Sequence, residues 1–178
     1  NSKRILNEPV DRILALKKPD FPFMLCWANE NWTKNWDGGN REVLLEQNYV
    51  EGFEKDYLVA NLETLRHVDY IKLDDKPMIM IYRPELFPQP RKSIENFRLA
   101  AMELGLGPIN VVAVSSFGTY DPRHIGVDAV VEFPPLGTHE KAAVKKPRKT
   151  LKKFKGHFYD YGLAALHSSN QPEKPFKR

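Results

Sequence analysis

Four short apolar runs, PFMLCWA (22–28), PMIMIY (77–82), INVVAVSS (109–116) and DAVVEF (128–133), restrict what this chain can fold into. None alternates cleanly between apolar and polar residues. That is the pattern of strands buried on both faces. Segments with helical spacing lie between them. RILNEPVDRILALKK, with Pro9 in its first turn, reads as one helix, and GFEKDYLVANLETLRHV (52–68) as a second. RKSIENFRLAAMELGLG reads as a third, capped by Ser93 and stopped by Gly105 and Gly107. EVLLEQ (42–47) is a short extended piece, and YIKLDDKPMIMIY folds back on an Asp-Asp-Lys-Pro turn. Buried strands alternating with helices predict an α/β fold with about four parallel strands. Two architectures fit, an open doubly wound sheet and part of a (β/α) barrel.

Charge divides the chain. Residues 1–140 hold 16 Lys/Arg against 21 Asp/Glu, whereas 141–178 hold 11 against two. The basic character of the whole therefore belongs to its tail, from KKPRKTLKKFKG onward. Such a tail can bind nucleic acid. The acidic body repels phosphates, so nucleic acid is disfavoured as a partner. No apolar run reaches the length of a membrane span, and no secretory leader opens the chain. The single cysteine, Cys26, rules out an internal disulfide and fits a reducing, cytoplasmic setting. Its place in an apolar run predicts a small buried core residue. The five histidines stand apart, without HxH or HExxH spacing, so no metal is expected. Ser115 and Ser116 lack a nucleophile elbow. The glycine fingerprints of dinucleotide and P-loop sites are absent, and no cofactor is expected.

The polar residues collect where the strands end. In parallel α/β proteins the carboxyl ends of the strands form the functional face. The first run ends in Trp27, Ala28, Asn29 and Glu30, the second in Tyr82 and Arg83, the third in Ser115 and Ser116, and the fourth in Glu132. Beyond the first strand come Asn31, Trp32, Trp36 and Asp37, so all three tryptophans stand within ten positions of one another. A pyranose offers C–H faces that stack on indole and hydroxyls that seek carboxylates, amides and guanidinium groups. Trp27, Asn29, Asn31, Trp32, Trp36, Asp37, Glu46, Tyr82 and Arg83 are therefore sugar-binding candidates. Glu30 and Glu132 are the candidate catalytic carboxylates, because glycosidic-bond chemistry commonly uses such a pair. The competing readings are structural: Trp27 as core, Glu30 paired with a basic residue, and Glu132 paired with Arg83 or a helix N-terminus.

These residues also carry a resemblance. DFPFMLCWANENWTKNWDG, VLLEQNY, KPMIMIYRPE and GVDAVVEFPP, in that order, resemble the WbsX-like glycosyltransferase family, and FKGHFYDY continues the match. That family looks related to the endo-α-mannosidase-like enzymes of glycoside hydrolase family 99. Asp75 departs from the pattern, which tends to have Gly there. The resemblance implies part of a (β/α)8 TIM-type barrel, incomplete at both ends. Residues 1–140 would be its central part, and 141–178 a basic, truncated segment of the same domain. A closed barrel typically needs ~250 residues. The chain, which opens on Asn1 rather than Met, thus reads as a piece of a longer protein, an assembling half or an open half. The resemblance further implies a glycan substrate of lipopolysaccharide or capsule type, a sugar donor if the reaction is transfer, and Glu30, Tyr82, Arg83 and Glu132 as walls of one cleft. A noncatalytic glycan-binding module is the rival class, with nucleic-acid binding through the tail behind it.

Overall fold

The computed structural model describes residues 5–16, 21–34, 42–115, 122–132, 143–144, 158–160 and 162. Two compact units divide the chain. The first takes in the described residues of 1–30, 48–115 and 120–131; the second, those of 31–47, 116–119 and 132–178.

The first unit opens with α1 (Glu8–Leu16), which carries Pro9 in its first turn as expected, whereas Ile5 and Leu6, read into the helix from their spacing, lie before it with Leu6 at a φ of 55°. Its sheet runs in the order β1 (Cys26–Trp27), β5 (Lys76–Ile81), β6 (Asn110–Ser115), β7 (Ala129–Glu132), with β4 (Lys72–Leu73) folded antiparallel onto the start of β5. β1 and β6 both run parallel to β5, with Trp27 opposite Ile81 and Ile81 opposite Ala113. Parallel neighbours need a crossover connection. Between β1 and β5 it contains α2 (Phe53–Ala60) and α3 (Leu62–Arg66), and between β5 and β6 it contains α4 (Pro90–Glu103). The 3-10 turns 84–86 and 122–125 complete the unit.

The helices cover one face of the sheet. Ile79 and Ile81 of β5 are buried, as are Val111 and Ala113, their register partners on β6. Leu58, Leu65, Ile94, Phe97 and Ala101 meet them from the helices. Met78 and Met80, facing the other way, are only half-buried, so β5 alternates although its sequence does not. On β6, residues 110–114 are buried on both faces, as its continuous apolar run predicts.

Three local expectations change. The first apolar run pairs over Cys26–Trp27 alone, with one further bridge between Phe23 and Tyr70. β1 ends the described sheet, and Cys26 lies opposite Met80 on the face away from the helices. The thiol is consequently exposed rather than part of the core, although partial burial still pushes its pKa up. The helix expected over 52–68 is two, broken at Asn61, whose side-chain amide donates to the Tyr57 carbonyl at 2.8 Å. Finally, α4 begins at Pro90 after Gln89, and Ser93 is a buried residue inside its first turns rather than its cap. Proline tolerates the first helical position because the N–H it lacks would have no helical partner there.

The second unit has two described antiparallel ladders. β2 (Trp32–Thr33) pairs antiparallel with β3 (Val43–Leu45), and β8 (Ala143–Val144) with β9 (Phe158–Tyr159).

Strain and burial in the first unit can each be tested. Asp74 and Asp75 of the β4–β5 turn both take positive φ, 52° and 61°, a geometry that favours glycine in a two-residue hairpin. Asp75→Gly should stabilise the protein by about 0.5–1 kcal/mol, the left-handed penalty less the extra entropy of glycine. A lower thermal midpoint would contradict this. The Tyr70 hydroxyl donates to the Met78 carbonyl at 2.8 Å and accepts from the Leu25 N–H at 3.3 Å. Burial pushes its pKa from the ordinary value of 10 up to about 12. The folded state thus prefers the neutral phenol. Its contribution is complete below pH 10 and is lost as pH rises to about 12. The loss amounts to about 3 kcal/mol. Tyr57 and Tyr49, whose phenols burial also pushes up, lose stability over the same range, so denaturant titrations should show a fall smaller by about 3 kcal/mol in Tyr70→Phe than in the wild type.

Candidate functional site

The parallel register sets the two strand ends level. The Tyr82 N–H donates to the Trp27 carbonyl at 3.0 Å, and the chain then leaves both strands on the same side of the sheet. Below this point lies an aromatic cluster. The Trp27 indole stacks on Tyr57 with centroids 4.5 Å apart and meets Tyr49, Phe53, Phe87 and Phe97 at 5.9–6.4 Å. Of its two readings above, core and sugar platform, this packing matches the core. Burial in the cluster pushes the Tyr57 phenol strongly upward, so it stays neutral.

Asn29, the second residue after β1, is wholly buried. Its Oδ1 accepts from the Arg83 N–H at 2.7 Å, and its Nδ2 donates to the Arg83 carbonyl at 2.8 Å. The amide therefore pairs with Arg83 much as a neighbouring strand would. Nδ2 also donates to the Tyr49 hydroxyl at 3.0 Å, and that hydroxyl donates to the Asn29 carbonyl at 2.5 Å. Burial pushes the Tyr49 pKa up, with the Asn29 hydrogen bond pulling the other way. Both amide protons are thus spent inside the protein.

With the Arg83 backbone so fixed, its guanidinium reaches two carboxylates. Nη1 lies 3.0 Å from Glu30 Oε2, and Nε bonds Glu85 Oε1. All three side chains are partly open to solvent, at 22% for Arg83, 35% for Glu30 and 23% for Glu85. Glu85 reaches back because Pro84, buried, opens a 3-10 turn directly after Arg83. The structural reading of Glu30, as the partner of a basic residue, is thereby realised with Arg83. Tyr82 is half-buried beside it.

The other candidates fall elsewhere. Asn31, Trp32 and Glu46 belong to the second unit. There Asn31 Oδ1 accepts from the Gln47 N–H at 2.7 Å and Lys34 pairs with Glu42 at 3.3 Å. Trp32 is 39% exposed, and Glu46 is exposed. Trp36, Asp37 and Ser116 lie outside the described residues, as does most of the basic tail. Glu132 is the last residue of β7, and its side chain is outside the described ones. Sequence reasoning missed Tyr49 and Glu85. Both sit inside the blocks VLLEQNY and KPMIMIYRPE, and the signal for Glu85 was the Arg-Pro-Glu step after a strand. Among the described residues no cluster of His, Cys, Asp and Glu could hold a metal ion, and no helix is long and apolar enough to cross a membrane. A concavity of about 490 Å³ lined by Gln89, Pro90, Arg91, Lys92 and Glu95 opens at the start of α4 and includes none of the strand-end groups.

Asn29→Ala should cost about 2–4 kcal/mol, because it strands the N–H and carbonyl of Arg83 in a buried place. Tyr49→Phe removes a single hydroxyl and should cost about 1 kcal/mol. Equal losses in chemical denaturation would show that the Arg83 pairing is no stronger than the bond to Tyr49.

Comparison with known proteins places these features in a family. The family model described as Glycosyltransferase WbsX matches residues 1–178. The chain is 30% identical over 174 residues to "Uncharacterized protein WxcX" of Xanthomonas campestris pv. campestris strain B100, and equally to that of strain ATCC 33913. The match covers 98% of this chain and 25% of each relative, so the chain spans about a quarter of the length of the curated relatives it matches. No solved structure matches. This chain belongs to the WbsX glycosyltransferase family.

Proposed function

We propose that the chain supplies part of the catalytic wall of a carbohydrate-active enzyme that forms or breaks glycosidic bonds in a polysaccharide of lipopolysaccharide or capsule type. The observation that carries this reading is the half-buried Glu30 carboxylate, held by Arg83 at the level carboxyl ends of two adjacent parallel strands. Family membership supports the substrate class. A carboxylate so oriented can act as base, nucleophile or charge stabiliser on an oxocarbenium-like centre, given a second carboxylate across the bond. Glu132 is the residue we assign to that second role. Trp32, Trp36, Asp37, Asn31, Glu46 and Tyr82 are assigned to sugar contacts.

The same reading extends the fold. The parallel strands with helices on one face would be one arc of a (β/α)8 barrel, residues 1–140 its central part and 141–178 its continuation. The rest of the longer protein would close it. Sheets of this kind place their chemistry at the carboxyl ends of the strands, where Glu30 and Arg83 stand.

The test uses the intact protein and a bacterial polysaccharide panel. Glu30→Gln keeps the shape and removes the charge, while Arg83 retains Glu85. Turnover should fall by about 10²–10⁴-fold with the thermal midpoint unchanged. Undiminished turnover would remove Glu30 from the chemistry. Saturable glycan binding with no turnover in the wild type would make the protein a binding module instead.

A further inference from the structure

An arginine that recognises an anionic sugar does so with a free fork of N–H groups, which meets a carboxylate or phosphate in two parallel bonds. Arg83 does not present itself that way. Asn29 fixes its backbone on both the N–H and the carbonyl. Glu30 takes Nη1 at 3.0 Å, and Glu85 takes Nε. The three side chains together carry two negative charges and one positive. At 22–35% exposure that net negative charge is felt by a ligand, since nearby charges at a protein surface still interact appreciably through partly excluded water. A uronate or a phosphorylated sugar brought beside Glu30 is repelled by two carboxylates, and the one guanidinium that would attract it is already engaged with both.

We propose that Glu85 is a specificity-determining residue: it commits Arg83 to holding Glu30, and so makes the strand-end cluster accept an uncharged or ammonium-bearing sugar unit and disfavour an anionic one. This rests on the carbohydrate reading above and adds the charge class of the unit that lies at Glu30. Arg83 is then a positioning residue for the Glu30 carboxylate rather than a contact for substrate anions.

The experiment compares methyl glucoside, glucosamine and glucuronate, three probes that differ in charge at closely similar size. Their dissociation constants are measured by ligand-observed NMR on the intact wild-type protein and on Glu85→Gln. The Gln side chain keeps a hydrogen-bond acceptor for Arg83 Nε while removing one negative charge. In the wild type glucuronate should bind weakest of the three. In Glu85→Gln its affinity relative to methyl glucoside should rise about fivefold, the effect of one unit charge at roughly 4 Å in water. Raised salt should shrink that difference. Glucuronate binding as well as methyl glucoside in the wild type would overturn the proposal and leave the carbohydrate reading standing. An unchanged ratio in folded Glu85→Gln would do the same. Binding of none of the probes, or of polysaccharide, by either folded protein would remove both.

Discussion

A buried primary amide has two protons and a carbonyl oxygen to satisfy, and leaving any of them without a partner away from water costs about 1–3 kcal/mol. Asn29 meets that requirement by turning its amide onto the backbone of Arg83, the second residue past the end of a neighbouring strand, and onto the hydroxyl of Tyr49. This one side chain continues the β1–β5 pairing after regular backbone bonding has ended. Everything distinctive about the strand ends depends on it. The adjacent residue, Glu30, is delivered to the guanidinium because the Arg83 backbone cannot drift. Tyr49, half-buried over Phe53 and Phe87, is tied to the same point from a segment that comes after β3.

The aromatic cluster beneath gives that amide its dry setting. Trp27 stacks on Tyr57 and contacts Phe97 of α4, so the first strand is anchored to two helices through a single indole. Two residues on, Asn29 is wholly buried. The helices are themselves joined by polar bonds, with Asn96 donating to the buried Glu54 at 3.2 Å and Lys55 paired to Glu103 at 2.8 Å. At the far end Asp128 accepts from the Val111 N–H and from Arg98, which fixes the entry into β7 against α4. Apolar packing sets the sheet, and buried polar side chains set where each strand begins and stops.

Much of this was legible in the residues. Strands formed within the runs 77–82, 109–116 and 128–133, and the Asp-Asp turn formed where the sequence placed it. The first run misled because apolar character reports burial, whereas strand pairing needs a partner of matching length; only Cys26–Trp27 have one on β5. Cys26 misled for a related reason: an edge strand can keep one apolar face against helices and leave the other open. The long helical stripe at 52–68 could not reveal its break, since Asn61 is buried and fits the stripe while its amide ends the helix. Tyr82, Arg83 and Glu30 were identified as strand-end groups, but the part Glu85 plays beside them was not, because a tight turn after a proline is what brings its carboxylate back.

The sequence by itself determined the α/β class, the parallel arrangement of its principal strands and the family, because periodic burial and a compact polar motif are written in consecutive residues. The tertiary structure decided which polar groups the protein keeps for its own use. Asn29, Asn31 and Trp27 look alike in a string as sugar contacts, yet the amide of Asn29 is consumed by partners 20 and 54 positions away and Trp27 is packed among rings from three other segments. A hydrogen bond depends on distance and direction in space, and sequence separation carries neither. For the same reason only the folded chain shows Arg83 shared between two carboxylates.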